Sequence, residues 1–350
     1  MRHQTYVYAP PTTTLPSKYK LAARMLQFPN TDQKDPPSWV LPTVASYLDG
    51  SWKMEEAFWA AETLVNQAVG DEIFRRVVDG IKNDKDGPQI DLAKNIIANF
   101  QERLILTTDN VLPITAKSER VMIGVALQNP AIVKAAVDKA MKSDPNAKEF
   151  EYPHHQWIWQ VTPPKVADDV FELEGFEDFE EFIDEPDGTE GPPLLNQWAT
   201  TVYGDYLLFS SHAQMLVDAI EHDRNAAKST LHAQPDFKRM REALLREEGP
   251  NRAVWRVLRS DLAFRAKYEL FRRGELKDSD SVLAALIRRI FKNPEDDDEE
   301  GVRIDGSKLP PFAVVSKHLQ PSGVVFKTED NGWLLRGIML SPVDGKETTP

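Results

Sequence analysis

Arg120-Val121-Met122-Ile123-Gly124-Val125-Ala126-Leu127, running into Gln128-Asn129-Pro130-Ala131-Ile132-Val133, decides the fold class. The first eight residues form a β-rich run, with Val121, Met122, Ile123 and Val125 as its apolar members. Asn129-Pro130 then reads as a helix start. Asn is a favoured N-cap, and Pro at the first helical position gives up an N–H that has no intrahelical partner. Ile132, Val133, Ala136, Val137 and Ala140 recur at three- and four-residue steps, which predicts a helix with that stripe buried, closed by Asp144-Pro145-Asn146.

A similar passage lies further on. Residues 198–203 and 206–210 read as strands joined by Gly204-Asp205, a hairpin signal. Ser211 follows as an N-cap, and Met215, Leu216, Ala219 and Ile220 form the inward stripe of the next helix. The two strand-to-helix passages fit an internal duplication or two ordinary β-to-α connections.

Residues 103–108 make another β-rich run, through Leu104, Ile105 and Leu106. Residues 148–161 suggest a long strand with a defect. Phe150 and Tyr152 share one parity, while Trp157, Trp159 and Val161 share the other, so a bulge or tight turn is expected near Pro153-His154-His155. From residue 38 to 100 the period is helical, with Trp52, Ala57 (or Glu56), Ala60, Leu64 and Ala68 recurring at three- and four-residue steps. A second face carries Ile73, Phe74, Val77 and Val78, and Asp91 is placed to cap a helix bearing Leu92, Ile96, Ile97 and Phe100.

The flanks differ in character. Residues 1–37 are broken by Pro10, Pro11, Pro16, Pro29, Pro36 and Pro37; within them Tyr6-Val7-Tyr8 resembles a strand and 18–27 a short helix. The opening reads as the interior of a longer chain. Past residue 250, 254–258 suggest a strand, 262–273, 281–291 and 310–319 suggest helices, and the acidic run 295–300 suggests a loop. Residues 324–328 and 333–340 flank Glu329-Asp330-Asn331-Gly332, where Asn-Gly is the preferred hairpin pair.

The segments expected are therefore an irregular N-terminal stretch (1–37), an α+β domain (38–248) with an acidic inserted loop (166–195), a helical and hairpin C-terminal module (249–342) and a tail (343–350). The fold class is α+β: a mostly antiparallel sheet with helices packed on one face, and a helical C-terminal part closed by a β-hairpin.

Several phrases have a familiar look: Gly87-Pro88-Gln89-Ile90-Asp91, Leu106-Thr107-Thr108-Asp109, Tyr268-Glu269-Leu270 with Gly274, Ile304-Asp305-Gly306-Ser307-Lys308-Leu309-Pro310, and Pro321-Ser322-Gly323 before Gly332-Trp333. Over most of residues 40–340 they resemble a group of uncharacterised bacterial proteins, common in planctomycetes and known only as membrane or secreted proteins. The resemblance implies an extracytoplasmic setting behind an N-terminal signal or anchor. This chain shows no signal peptide, and the resemblance brings no functional residue with it.

Composition narrows the function classes. The 350 residues carry a net charge of −13 and no cysteine. The negative balance, with no basic stripe to offset it, disfavours nucleic acid and anionic lipid. Without cysteine there are no disulfides, no thiolate chemistry and no Cys-based metal site. No window approaches the roughly 20 apolar residues of a membrane span. A protein partner is the class left open.

Individual motifs carry little. His154-His155 beside Trp157 and Trp159 is conspicuous, but adjacent strand residues face opposite ways. Ser211-His212 with Asp205 supplies the residue types of a hydrolytic triad without a nucleophile elbow. Between residues 168 and 190 there are twelve Asp or Glu and no Lys or Arg, yet Asp184-Glu185-Pro186-Asp187-Gly188 is not an EF-hand loop; the stretch reads as solvated. Phosphate-cradling glycine motifs are absent. No catalytic, cofactor-binding or metal residue is assigned, and no cofactor. The reading is a non-catalytic extracytoplasmic binding or structural protein; the alternative is a hydrolase whose site is assembled from residues distant in sequence. A concave pocket that gathers titratable groups is what separates them.

Overall fold

The computed structural model describes residues 1–11, 19, 21–85, 87–152, 156–163, 197–225, 229–275 and 306–342. Its strands are β1 (Arg2–Tyr8), β2 (Thr31–Asp32), β3 (Ser46–Ser51), β4 (Phe100–Asn110), β5 (Glu119–Leu127), β6 (Ala147–Tyr152), β7 (Gln156–Val161), β8 (Trp198–Tyr203), β9 (Tyr206–Ser210), β10 (Asn251–Arg252), β11 (Val254–Leu258), β12 (Ser322–Glu329) and β13 (Gly332–Met339). The longer helices are α1 (Met54–Val69), α2 (Ile73–Asn83), α3 (Pro130–Ser143), α4 (Ala213–Arg224), α5 (Pro235–Glu248) and α6 (Arg265–Arg273).

Eleven strands form one antiparallel sheet in the order β1-β13-β12-β11-β3-β4-β5-β9-β8-β7-β6, and β2 pairs with β10 alone. The α+β class therefore holds. Strands from residues 1–37, 38–248 and 249–342 all enter this one sheet.

The main core lies on one face. Ile105, Met122, Ala199, Leu208, Tyr47, Trp255 and Val325 point to that side, where α4 brings Met215, Leu216, Ala219 and Ile220, and α5 brings Phe237, Met240 and Leu244. Neighbouring strand residues point the other way. Leu207 and Val202 accordingly meet Val133 and Ala136 of α3 in a second cluster with Ile96 and Leu127. The expectation of helices on one face thus covers α4 and α5 but not α3. The two strand-to-helix passages send their helices to opposite sides of the sheet. Val133 and Ala136 of the α3 stripe are buried, whereas Ile132 is exposed.

Three readings of the sequence need correction. Residues 38–100 contain β3 at the centre of the sheet, and β4 begins already at Phe100. Ser-Tyr-Leu-Asp-Gly-Ser has poor strand composition; tertiary contacts override it, with Asp49 neutralised by Arg103 and Gly50 under Val254, whose Cγ2 would lie 3.0 Å from an added Cβ. Leu64, placed on the inward face of α1, is exposed. Residues 148–161 are a hairpin, not one strand: Phe150 pairs with Ile158 and Trp159 with Glu149. The chain reverses between Tyr152 and Gln156, and the pairing keeps odd with odd and even with even, so Phe150 and Tyr152 lie on the opposite face from Trp157, Trp159 and Val161; His154 and His155 lie outside the described residues.

Other expectations are met. Asp91 caps the turn Leu92–Asn95, accepting from the Lys94 N–H. The Gly204-Asp205 hairpin forms between Tyr203 and Tyr206. In the C-terminal hairpin Glu329 pairs with Gly332, so the loop is Asp330-Asn331, one residue earlier than the Asn-Gly signal suggests. Tyr6-Val7-Tyr8 belongs to β1, and the expected helix at 18–27 is a 3-10 turn, Leu21–Met25. The helix expected at 281–291, the acid run 295–300, the inserted loop from residue 166 onward and the tail 343–350 lie outside the described residues.

Gly332 has a job other than turning the chain. Its φ is +147°, and a Cβ there would lie 2.0 Å from the Val7 carbonyl oxygen. Side-chain absence is what lets β1 dock on β13. Gly332→Ala should destabilise by about 1–3 kcal/mol and raise hydrogen exchange at residues 2–8. Gly204→Ala, with open space around it, should cost about 1–2 kcal/mol and leave β1 protected. Urea denaturation and exchange mass spectrometry check both; unchanged β1 protection in Gly332→Ala contradicts the docking role.

Candidate functional site

On the α5 side of the sheet, strands β3, β4 and β11 and the chain at Thr31–Lys34 enclose a cleft of about 320 Å³. Its floor is set by alternation. Asp49, Ser51 and Trp255 occupy successive same-face positions on paired strands, with Arg103 directly opposite Ser51. The exposed residues Asp32, Lys34, Gln101 and Glu102 form the rim. Titratable groups from four separate stretches of sequence therefore converge on one concavity.

Asp49 and Arg103 make its strongest internal contact. Arg103 Nη2 donates to Asp49 Oδ2 at 2.7 Å and Nε to Oδ1 at 3.3 Å. Tyr47 Oη donates to the same carboxylate at 3.1 Å. Arg103 also reaches the Tyr206 hydroxyl at 3.3 Å and the Asp35 carbonyl at 2.7 Å, tying β9 and the chain beyond β2 to the centre of the sheet. Burial pushes the Asp49 carboxyl above the usual carboxylate range even though Arg103 pulls it down. For Arg103, burial works against the charge, but the Asp49 hydrogen bond and charge outweigh it and the net shift is upward. Burial, followed by the Asp49 charge, raises Tyr47 well above its ordinary value.

The remaining polar groups are arranged differently. Ser51 Oγ donates to Glu102 Oε2 at 3.2 Å. Arg252 is only 2% exposed, and its Nη2 donates to the Gly249 carbonyl at 2.6 Å. Its Nε and Nη1 have no acceptor, and neither amide atom of Gln33 has a partner. Burial lowers Arg252 to about 10.

The constellations singled out in the sequence lie elsewhere. Ser211 Oγ is 2.9 Å from His212 Nδ1 and accepts the Val121 N–H at 2.9 Å. It braces β5 rather than capping α4, whose N-cap is His212. Asp205 sits at the opposite end of β9, in the hairpin turn, so no triad assembles. A second buried ion cluster, Arg120 with Asp109 and Asp218, uses Nε and both terminal nitrogens on carboxylates at 2.7–2.8 Å, leaving no donor nitrogen over for a ligand. Among the described residues no group of three or more His, Asp or Glu is placed to hold a metal, and no helix is long and apolar enough to cross a membrane. None of Asp49, Ser51, Arg103 or Arg252 was singled out by the sequence; Asp49 in a stretch read as helical was the one available anomaly.

Comparison with known proteins adds no relative. No family model, no curated protein and no solved structure matches the chain.

Removing one partner of a buried ion pair strands the other. Asp49→Ala should cost about 3–5 kcal/mol, and adding Arg103→Met should recover much of that loss. Chemical denaturation of the two variants checks it. An Asp49→Ala cost below about 1 kcal/mol, the level of an exposed pair, contradicts the reading of a buried, mutually dependent pair.

Proposed function

We propose that the protein is a non-catalytic binding protein that takes a small polar solute into the cleft beside Asp49, Ser51 and Arg252, in the extracytoplasmic setting that the resemblance implies. The observation that carries this reading is the convergence of buried polar groups on one concavity, the usual mark of a ligand site. A purely structural sheet protein has no need for a cleft with unspent donors. Catalysis is disfavoured by what the groups are. Arg103 and Asp49 neutralise each other, guanidinium is a poor proton carrier, and no imidazole lines the cleft to activate Ser51.

One contact favours a second reading, a hydrolase built from distant residues: the Ser51 hydroxyl donates to the Glu102 carboxylate inside the cleft. A carboxylate is a weak base toward a serine hydroxyl, which places this reading second.

Thermal-shift screening against a panel of amino acids, hydroxy acids and sugars tests the two together. The binding reading expects at least one solute to raise the melting temperature, with affinity about tenfold weaker in Glu102→Ala, the loss of one charge-assisted hydrogen bond. Turnover of ester, amide or glycoside substrates that disappears in Ser51→Ala supports the hydrolase instead. No shift and no turnover contradict both.

A further inference from the structure

We infer that Arg252 and Gln33 form an anion subsite at the inner end of the cleft, built to take the carboxylate of a small monoanionic or zwitterionic solute. The inference rests on the binding reading above and specifies its ligand class.

A guanidinium withdrawn from water needs an anion or a full set of acceptors. Arg252 has one acceptor, the Gly249 carbonyl. The carboxylate nearest to it in charge coupling, Glu248, is already spent: Arg336 Nη1 holds both of its oxygens at 2.9 and 3.0 Å, and Lys327 lies 3.6 Å away. Asp35 is spent on Arg241, at 2.6 Å. Arg241 adds repulsion rather than relief, lowering Arg252 further. The nitrogen of the Gln33 amide supplies a second unspent donor in the same lining.

The rest of the cleft sets the charge of the ligand. Asp32, Asp49 and Glu102 line it together with Lys34, Arg103 and Arg252, three negative groups against three positive. A single negative charge placed on Arg252 is compensated; a dianion faces the carboxylates as well. The same carboxylates, with the Ser51–Glu102 pair, suit a hydroxyl or ammonium on the body of the solute. The free atoms of Arg252 and Gln33 are closed to bulk water. Binding therefore includes a shift of the Thr31–Lys34 stretch, which is fastened by the two-residue β2–β10 pairing and by Asp35.

The test uses the full chain with acetate, glycine and inorganic phosphate as probes, at matched ionic strength, followed by melting temperature and calorimetric titration. Arg252→Met keeps the bulk of the side chain and removes its charge. It should melt at or above the wild-type temperature without ligand, because an uncompensated buried cation is gone. It should also bind acetate and glycine about tenfold or more weakly, the equivalent of a lost charge-assisted hydrogen bond. Gln33→Leu should weaken the same probes without raising the melting temperature as far. The inference is overturned if Arg252→Met melts well below wild type while acetate and glycine bind it as before, which makes Arg252 structural. It is overturned equally if phosphate binds the wild type in preference to both, or if the wild type binds none of the three. If another solute binds the cleft independently of Arg252, the anion subsite falls and the binding reading stands.

Discussion

The Asp49–Arg103 ion pair is the contact on which the rest of the molecule depends. It joins β4, the middle strand of an eleven-stranded sheet, to its neighbour β3, and through Tyr206 and the Asp35 carbonyl it ties in β9 and the chain beyond β2. A buried pair of this kind seldom adds much net stability, since both ions must be desolvated, but it is unforgiving of the loss of either partner. Its value here is positional. Asp49 in a strand would be a liability unless Arg103 stood at the neighbouring same-face position, and that placement holds only in one register of β3 on β4. A one-residue slip would send both groups to the other face.

The cleft follows from that register. With Asp49, Ser51 and Trp255 on the same face and the Thr31–Lys34 stretch fastened above them, a polar concavity is left beside an otherwise apolar core. Two buried guanidinium groups then differ in a way that bears on function. Arg120 uses its donor nitrogens on Asp109 and Asp218, whereas Arg252 is as deeply buried and has spent only one.

What the sequence revealed follows the strength of local signals. Residues 120–143 were legible because a β-branched run, a favoured cap and a helical stripe agree with one another. The 198–210 hairpin and the Asp91 cap were legible for the same reason. β3 was not, because its Asp and Gly contradict strand propensity and are accommodated by Arg103 and Val254, which are far away in the chain. The 147–161 hairpin was half legible: a bulge or tight turn was expected near Pro153, and it is the turn that forms, while the parity change that suggested a shifted register reflects the two faces of the hairpin. The site was the least legible part. Asp49, Arg103 and Arg252 are ordinary charged residues in sequence, and they are brought together by the pairing of β3 with β4 and of β10 with β2, which no short motif records.

The claim that the cleft is an anion-accepting binding site is tested most directly by a crystal structure of the wild-type protein grown with acetate. The account predicts a carboxylate within hydrogen-bonding reach of Arg252 Nε or Nη1, the Gln33 amide turned onto it, and the Asp49–Arg103 pair unchanged. An Arg252 guanidinium paired with a protein carboxylate, above a cleft holding no anion, would contradict it.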